Sequence, residues 1–223
     1  DRCPPPFRSL VKLAVDNPLT NGAVIYPDDY EEVRFSMFQG LDNARGAIRR
    51  AAEEYRDIIV NYHGDMVETY RIDDADCALV AMGSMASECK MAVDMLRDKG
   101  YRCGLVRVRS YRPFPIAELR ELLSPMRAVM VLDRGVSFGL EGALFSEVKA
   151  AIYGHGDAIV YNLITGLGGR DVRYDLVAER TEAALEGKMA PESNWPSLRL
   201  TEHNRVGKRG LEENGKREGG HGS

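Results

Sequence analysis

Side chains able to do chemistry are thinly spread along this sequence, and the first place to look is Gly83-Ser84, which follows an apolar run and opens an amphipathic stretch. Main-chain N–H groups at such a helix start can cradle a phosphate. The loops that usually do so are missing, because the chain contains neither Gly-x-Gly-x-x-Gly nor Gly-Lys-Ser. Gly168-Gly169 falls between an apolar run and an amphipathic one, where a bend with positive φ explains it at least as well as a ligand does. Asp133-Arg134 reads as an ion pair fixing a turn, or as an exposed contact for another chain. Cys3, Cys77, Cys89 and Cys103 never form Cys-x-x-Cys, which leaves no local iron–sulfur or zinc signature. His63, His155, His203 and His221 are equally scattered and read as exposed or loop residues. No Ser/His/Asp, Cys/His or paired-carboxylate constellation assembles from these residues.

The elements that must position them are written in the hydrophobic period. Ala128-Val129-Met130-Val131-Leu132 is a continuous apolar run, the pattern of a strand covered on both faces, and Gly135 and Gly139 loosen the turn after it. Leu144, Phe145, Val148, Ala151 and Ile152 then share one helical face, from which Glu141 and Glu147 are absent, and Gly154 closes the helix. The same alternation predicts a strand at Cys77–Met82 and a helix from Met85 to Gly100. A strand at Cys103–Arg109 and a short helix at Ile116–Leu123 follow, and after the opening unit come a strand at Ala158–Ile164 and a helix near Tyr174–Leu185. Val67–Ile72 is an edge strand or a lead-in. Strands alternating with helices imply right-handed crossovers and a doubly wound, mostly parallel, Rossmann-like α/β sheet.

Ligands and partners of such a sheet meet the crevice at the carboxyl ends of its strands. Those ends carry Arg112, Asp133, Arg134, Arg170 and Asp171. Three arginines and two aspartates nearly balance, as mutually satisfied pairs do, whereas a site for an anionic substrate needs an unpaired cationic surplus. Arg112, held extended before Pro113, is expected to reach across to Asp133. This ridge is therefore expected to serve interfaces and architecture, with no catalytic, cofactor-binding or metal residue assigned on the chain.

Around this domain the sequence places three further segments. Residues 1–27 form an irregular arm with Pro4-Pro5-Pro6, Asn17-Pro18 and Asn21-Gly22. Asp28-x-x-Glu31 then opens a long helix, residues 28–63, in which Tyr30, Val33, Met37, Leu41 and their successors to Tyr62 recur at alternating steps of three and four. A helix of roughly 48 Å exceeds a small domain, so its stripe is expected to reach a partner. The α/β domain occupies residues 66–187. The tail, 188–223, has few apolar residues and is expected to stay disordered, with Trp195-Pro196 docking on the domain.

Composition adds exclusions. With 44% hydrophobic residues the chain is ordinary for a globular protein. No apolar run approaches the length of about 20 residues that spans a bilayer, and no signal-peptide core opens it, so a cytoplasmic location off the membrane is expected. A net charge of −4 argues against a nucleic-acid partner.

Five motifs together carry a family resemblance. Val80-Ala81-Met82-Gly83-Ser84-Met85, Tyr111-Arg112-Pro113-Phe114-Pro115, Leu132-Asp133-Arg134 with Ser137-Phe138-Gly139, Gly142–Lys149, and Gly166–Asp171 resemble, in order and spacing, the α subunit of the 2-oxoacid:ferredoxin oxidoreductases, such as pyruvate synthase. The similarity covers about Asn17 to Gly187 and departs from the family at Gly135 and in the tail. It implies the second α-subunit domain, similar to the C-terminal domain of transketolase, together with the long helix before it. That family decarboxylates a 2-oxoacid on thiamine diphosphate, passes electrons through iron–sulfur clusters to ferredoxin and transfers the acyl group to coenzyme A. By the resemblance, the thiamine site lies between a preceding thiamine-pyrimidine domain, of which residues 1–27 would be the end, and a β subunit. The clusters lie on other domains or on γ- and δ-type subunits, so this chain itself carries no cofactor and is inactive when isolated. The competing expectation is a free-standing Rossmann-like binding or scaffolding module without enzyme activity.

Overall fold

The computed structural model describes residues 24–191 and 193–199, with residues 9, 12, 14–19 and 22. The arm expected over residues 1–27 and the end of the tail beyond residue 199 lie largely outside the described residues. The chain divides into two compact units, residues 1–43 and 44–223.

Helix α1 (Pro27–Ile59) begins with Pro27 as its first residue, one position earlier than the Asp28 start, because a proline fits a first helical turn that needs no N–H donor. It also ends before Tyr62. Ile58, Ile59 and Val60 form a β-branched run with poor helix propensity, and Val60 turns into the left-handed region at φ 55. No residue of α1 is buried, and Tyr30, Met37 and Leu41 stay 54%, 59% and 45% exposed.

The described residues of the second unit build a six-stranded sheet from β1 (Val67–Tyr70), β2 (Cys77–Met82), β3 (Cys103–Val108), β4 (Ala128–Asp133), β5 (Ile159–Ile164) and β6 (Ser193–Asn194). The order is β1-β3-β2-β4-β5-β6, with β1 antiparallel to β3 and the other pairs parallel. The helices between are α2 (Met85–Asp98), α3 (Ile116–Leu123), α4 (Ala143–Ile152) and α5 (Tyr174–Leu185). The doubly wound, mostly parallel sheet anticipated from the sequence is thus present.

Alternate side chains of the central strands feed two separate cores, as the period of two requires. Leu79, Ala81, Leu105, Met130 and Leu132 pack with Cys89, Val93, Leu96, Val177 and Ala178 on the face of α2 and α5. Val80, Val106, Val129 and Val131 pack with Leu119, Leu123, Phe145 and Val148 on the face of α3 and α4. Both faces are apolar, which is why these strands read as unbroken apolar runs.

The edge strand β1 is held by charge. Glu68 accepts from Lys90 on α2 at 2.5 Å and from Arg107 on β3 at 3.0 Å. At the opposite edge the described part of the tail lies along the sheet. Ser193 and Asn194 pair in parallel with Asn162 and Leu163, and the Arg170 guanidinium donates to the Ser197 carbonyl. A free strand edge offers backbone partners that a polar segment can take without an apolar core of its own. Trp195, expected to do the docking, remains 40% exposed. Among the described residues, no helix is long and apolar enough to cross a membrane.

Candidate functional site

The chain leaves β2 toward β3 on one side and returns past it to β4 on the other, so the topological switch point lies between the carboxyl ends of β2 and β4. A cleft of ≈ 360 Å³ opens there, lined by Gly83, Ser84, Leu132, Asp133, Arg134 and Leu144 among others. Gly83 takes φ 58, a conformation that lets the chain leave β2 and enter α2 in one step.

Asp133 is the polar centre of this cleft and is only 6% exposed. Its Oδ1 accepts from the Leu144 N–H at 2.9 Å, and its Oδ2 accepts from the Phe145 N–H at 3.1 Å and from Asn162 Nδ2 at 3.0 Å. Leu144 and Phe145 are the second and third residues of α4, whose cap position holds Gly142 and so has no side chain to satisfy them. Asp133 therefore acts as a helix cap supplied from the neighbouring strand end. Asn162 on β5 completes the network by accepting from the Gly142 N–H at 3.1 Å. An ideal Cβ on Gly142 would stand 2.0 Å from Asp133 Oδ2, so the close approach of helix and carboxylate requires glycine there. Burial pushes the Asp133 carboxyl above its ordinary range, and the three N–H donors pull against that shift.

The expected reach of Arg112 to Asp133 does not occur. Arg112 instead forms a two-pronged pair with Glu147 on α4, Nη1 to Oε2 at 2.7 Å and Nη2 to Oε1 at 2.5 Å, while the Tyr111 hydroxyl donates to Glu147 Oε1 at 2.8 Å. Its guanidinium also lies 4.4 Å from the centre of the Tyr111 ring. The reason is competition: Asp133 is buried and engaged by three N–H groups, and Glu147 is the carboxylate within reach of the surface. Nor do Asp133 and Arg134 pair with each other, for Arg134 is exposed and passes over Gly166, where an ideal Cβ would lie 3.0 Å from its Nε. Arg170 turns to Ser197, and Asp171 is exposed. The five ridge residues thus share the strand-end face of the domain without forming one mutually paired cluster.

Two residues that matter were not singled out from sequence. Asn162 carried a signal, being a lone amide inside the apolar run Ile159–Ile164. Glu147 carried a weaker one, since it lies off the apolar face of its helix.

The Arg112 guanidinium holds the Glu147 carboxyl below its ordinary value of 4.5, with help from Tyr111 and against burial. A carboxyl depressed in the folded state adds stability that is complete above the unfolded value and is lost as pH falls through the folded one. Arg112 is 50% exposed, so the pair is worth about 1 kcal/mol or less. The deficit of Glu147→Gln, measured by thermal unfolding between about pH 3 and 7, is expected to shrink toward the acid end. A deficit that grows on acidification would contradict the pair.

A diphosphate-bound metal is held by oxygen ligands, and Asp133, the one carboxylate among the residues lining this cleft, already accepts from three N–H groups. Among the described residues no group of three His, Cys, Asp or Glu is placed to hold a metal ion.

Comparison with known proteins follows the same lines. Residues 75–177 match the family model "Pyruvate:ferredoxin oxidoreductase core domain II". The chain is similar to ketoisovalerate oxidoreductase subunit VorA of Pyrococcus abyssi, 38% identical over 201 residues that cover 87% of this chain and 51% of that protein. It is also similar to pyruvate synthase subunit PorA of Methanothermobacter thermautotrophicus, 38% identical over 181 residues covering 80% and 46%. The PorA subunit of Thermotoga maritima is 34% identical over 189 residues covering 84% and 48%. The chain spans about half the length of the curated relatives it matches. Over residues 75–177 the chain thus carries a domain of the pyruvate:ferredoxin oxidoreductase core domain II family.

Proposed function

We propose that this chain serves as the domain II part of the α subunit in a 2-oxoacid:ferredoxin oxidoreductase, and that it contributes assembly rather than catalytic groups. The assembled enzyme would carry out oxidative decarboxylation of a 2-oxoacid to an acyl-CoA with reduction of ferredoxin. Pyruvate, as in a pyruvate synthase, is the first substrate to test. The observation that carries the reading is the match of residues 75–177 to a core domain II. The engagement of Asp133 by three N–H donors supports it, because the one carboxylate lining the strand-end cleft is occupied in capping α4. Thiamine diphosphate, iron–sulfur clusters and coenzyme A would be held by a thiamine-pyrimidine domain and by β-, γ- and δ-type subunits, with ferredoxin docking on the complex. The free-standing scaffolding module is not favoured by relatives that are enzyme subunits.

Anaerobic affinity purification of the tagged chain from its own cells tests this. A complex containing iron and thiamine diphosphate is expected, and a colourless single chain would overturn the proposal.

The isolated chain should neither oxidise pyruvate nor bind thiamine diphosphate. Calorimetric titration is expected to give no binding heat, and a micromolar isotherm would show that a thiamine site is complete on this chain.

A further inference from the structure

We propose that Cys77 and Cys103 form a peroxide-oxidisable dithiol that closes to a disulfide between β2 and β3. The proposal rests on the sheet itself and not on the enzymatic reading above. Cys77 and Cys103 are register partners on adjacent parallel strands, so both side chains point to the same face. Neighbouring strands stand about 4.8 Å apart, inside the span of about 4.4–6.8 Å over which Cα atoms can be bridged. The two thiols donate to carbonyls of one short stretch, Cys77 Sγ to Arg102 O at 3.7 Å and Cys103 Sγ to Gly104 O at 3.8 Å, so both sulfurs lie against the start of β3.

The surroundings separate this pair from an inert core cysteine. Contact with the Cys103 thiol holds the Cys77 thiol below its ordinary value, assisted by Arg127 and Arg97 and opposed by burial and Asp76. Cys77 therefore has the character of an attacking sulfur, and the Cys103 thiol, pushed up by that contact and by burial, keeps its proton. Cys89, in the same core, is pushed up to about 12 by burial and serves as an internal control. Although Cys77 is only 1% exposed, it lines a void of ≈ 10 Å³ with Met130, Tyr161, Thr181 and Leu185, about the room one water needs. Hydrogen peroxide, small and neutral but larger than one water, reaches Cys77 through a local opening of this packing.

The chemistry closes without a further reactant. The Cys77 thiolate attacks one peroxide oxygen, the O–O bond breaks, and Cys77 becomes a sulfenic acid with release of hydroxide, which takes up the proton lost by Cys77 to give water. The Cys103 sulfur then attacks the sulfenic sulfur, forming the S–S bond and expelling a second water that carries the Cys103 proton. Two thiols are oxidised by two electrons and one peroxide is reduced to two waters. Closing the bond draws Cβ atoms from the strand spacing of about 4.8 Å toward about 3.5–4.5 Å, so the disulfide is strained and open to dithiol reductants.

The test treats the full chain with hydrogen peroxide, alkylates remaining thiols under denaturing conditions, and maps the peptides by mass with and without dithiothreitol. A Cys77–Cys103 linked peptide is expected, lighter by two hydrogens than its parts and reopened by dithiothreitol. It should vanish in Cys77→Ser and Cys103→Ser and persist in Cys89→Ser. Should the serine variants fail to fold, the wild-type peptide map alone decides. Only sulfinic or sulfonic acid at Cys77, links confined to Cys3 or to a second chain, or a Cys77 that remains reduced would each overturn the proposal.

Discussion

Gly142→Ala is expected to destabilise the α/β domain by about 3 kcal/mol, at the upper end of the cost of forcing an extra carbon into a packed site. The backbone at Gly142, with φ −61 and ψ 142, suits any L residue, so the cost comes from collision and not from conformation. The added carbon would meet Asp133 Oδ2 at 2.0 Å, a carboxylate that cannot withdraw without releasing the N–H groups of Leu144 and Phe145. Either α4 shifts outward or the staple opens. Urea unfolding of the two chains measures the difference, and a loss below about 1 kcal/mol would show that the helix yields without cost.

Asp133→Ala should cost about the same, near 3 kcal/mol, because it strands two N–H groups in the first turn of α4 and leaves the Asn162 amide one acceptor short. It removes a cap and a buried acceptor at once. The two substitutions share one contact, so their effects cannot add. In the double variant the alanine at 142 meets no carboxylate, and the combined loss should fall short of the sum by about 1 kcal/mol or more. Strict additivity in the same urea measurements would mean that Gly142 and Asp133 act separately. By contrast, Arg112→Ala should cost about 1 kcal/mol or less, since its partner is the half-buried Glu147 and not Asp133.

The contrast between those substitutions marks where sequence reasoning stopped. Strand runs such as Ala128–Leu132 and helix faces such as Leu144 to Ile152 were legible because burial on both faces, or on one stripe, imposes its period on the residues. The parallel, doubly wound character followed from crossover rules that need only the sequence of elements, while the strand order β1-β3-β2-β4-β5-β6 came from the structure. Side-chain partners obey no such period. Whether Arg112 meets Asp133 or Glu147 depends on how far each carboxylate lies below the surface, which is fixed by the packing of α4 on β4 and β5. Asn162 could have been suspected as an amide inside an apolar strand, but its partners, Gly142 and Asp133, lie 20 and 29 residues away. The strand Ser193–Asn194 was hidden for a different reason. It is held by the backbone of a neighbouring edge, and that bond leaves no mark on composition.

The central claim is that the strand-end face of this domain holds the fold together and leaves the chemistry to partner domains. The measurement that reaches it most directly is turnover per folded complex in the assembled oxidoreductase carrying Asp133→Asn, taken alongside its melting temperature. An asparagine keeps the shape and one acceptor but loses the second, so a lower melting temperature with turnover close to that of the parent enzyme is the expected result. An unchanged melting temperature with a loss of about a hundredfold or more in turnover, the contribution of a general acid or base, would place Asp133 in the reaction and contradict the account.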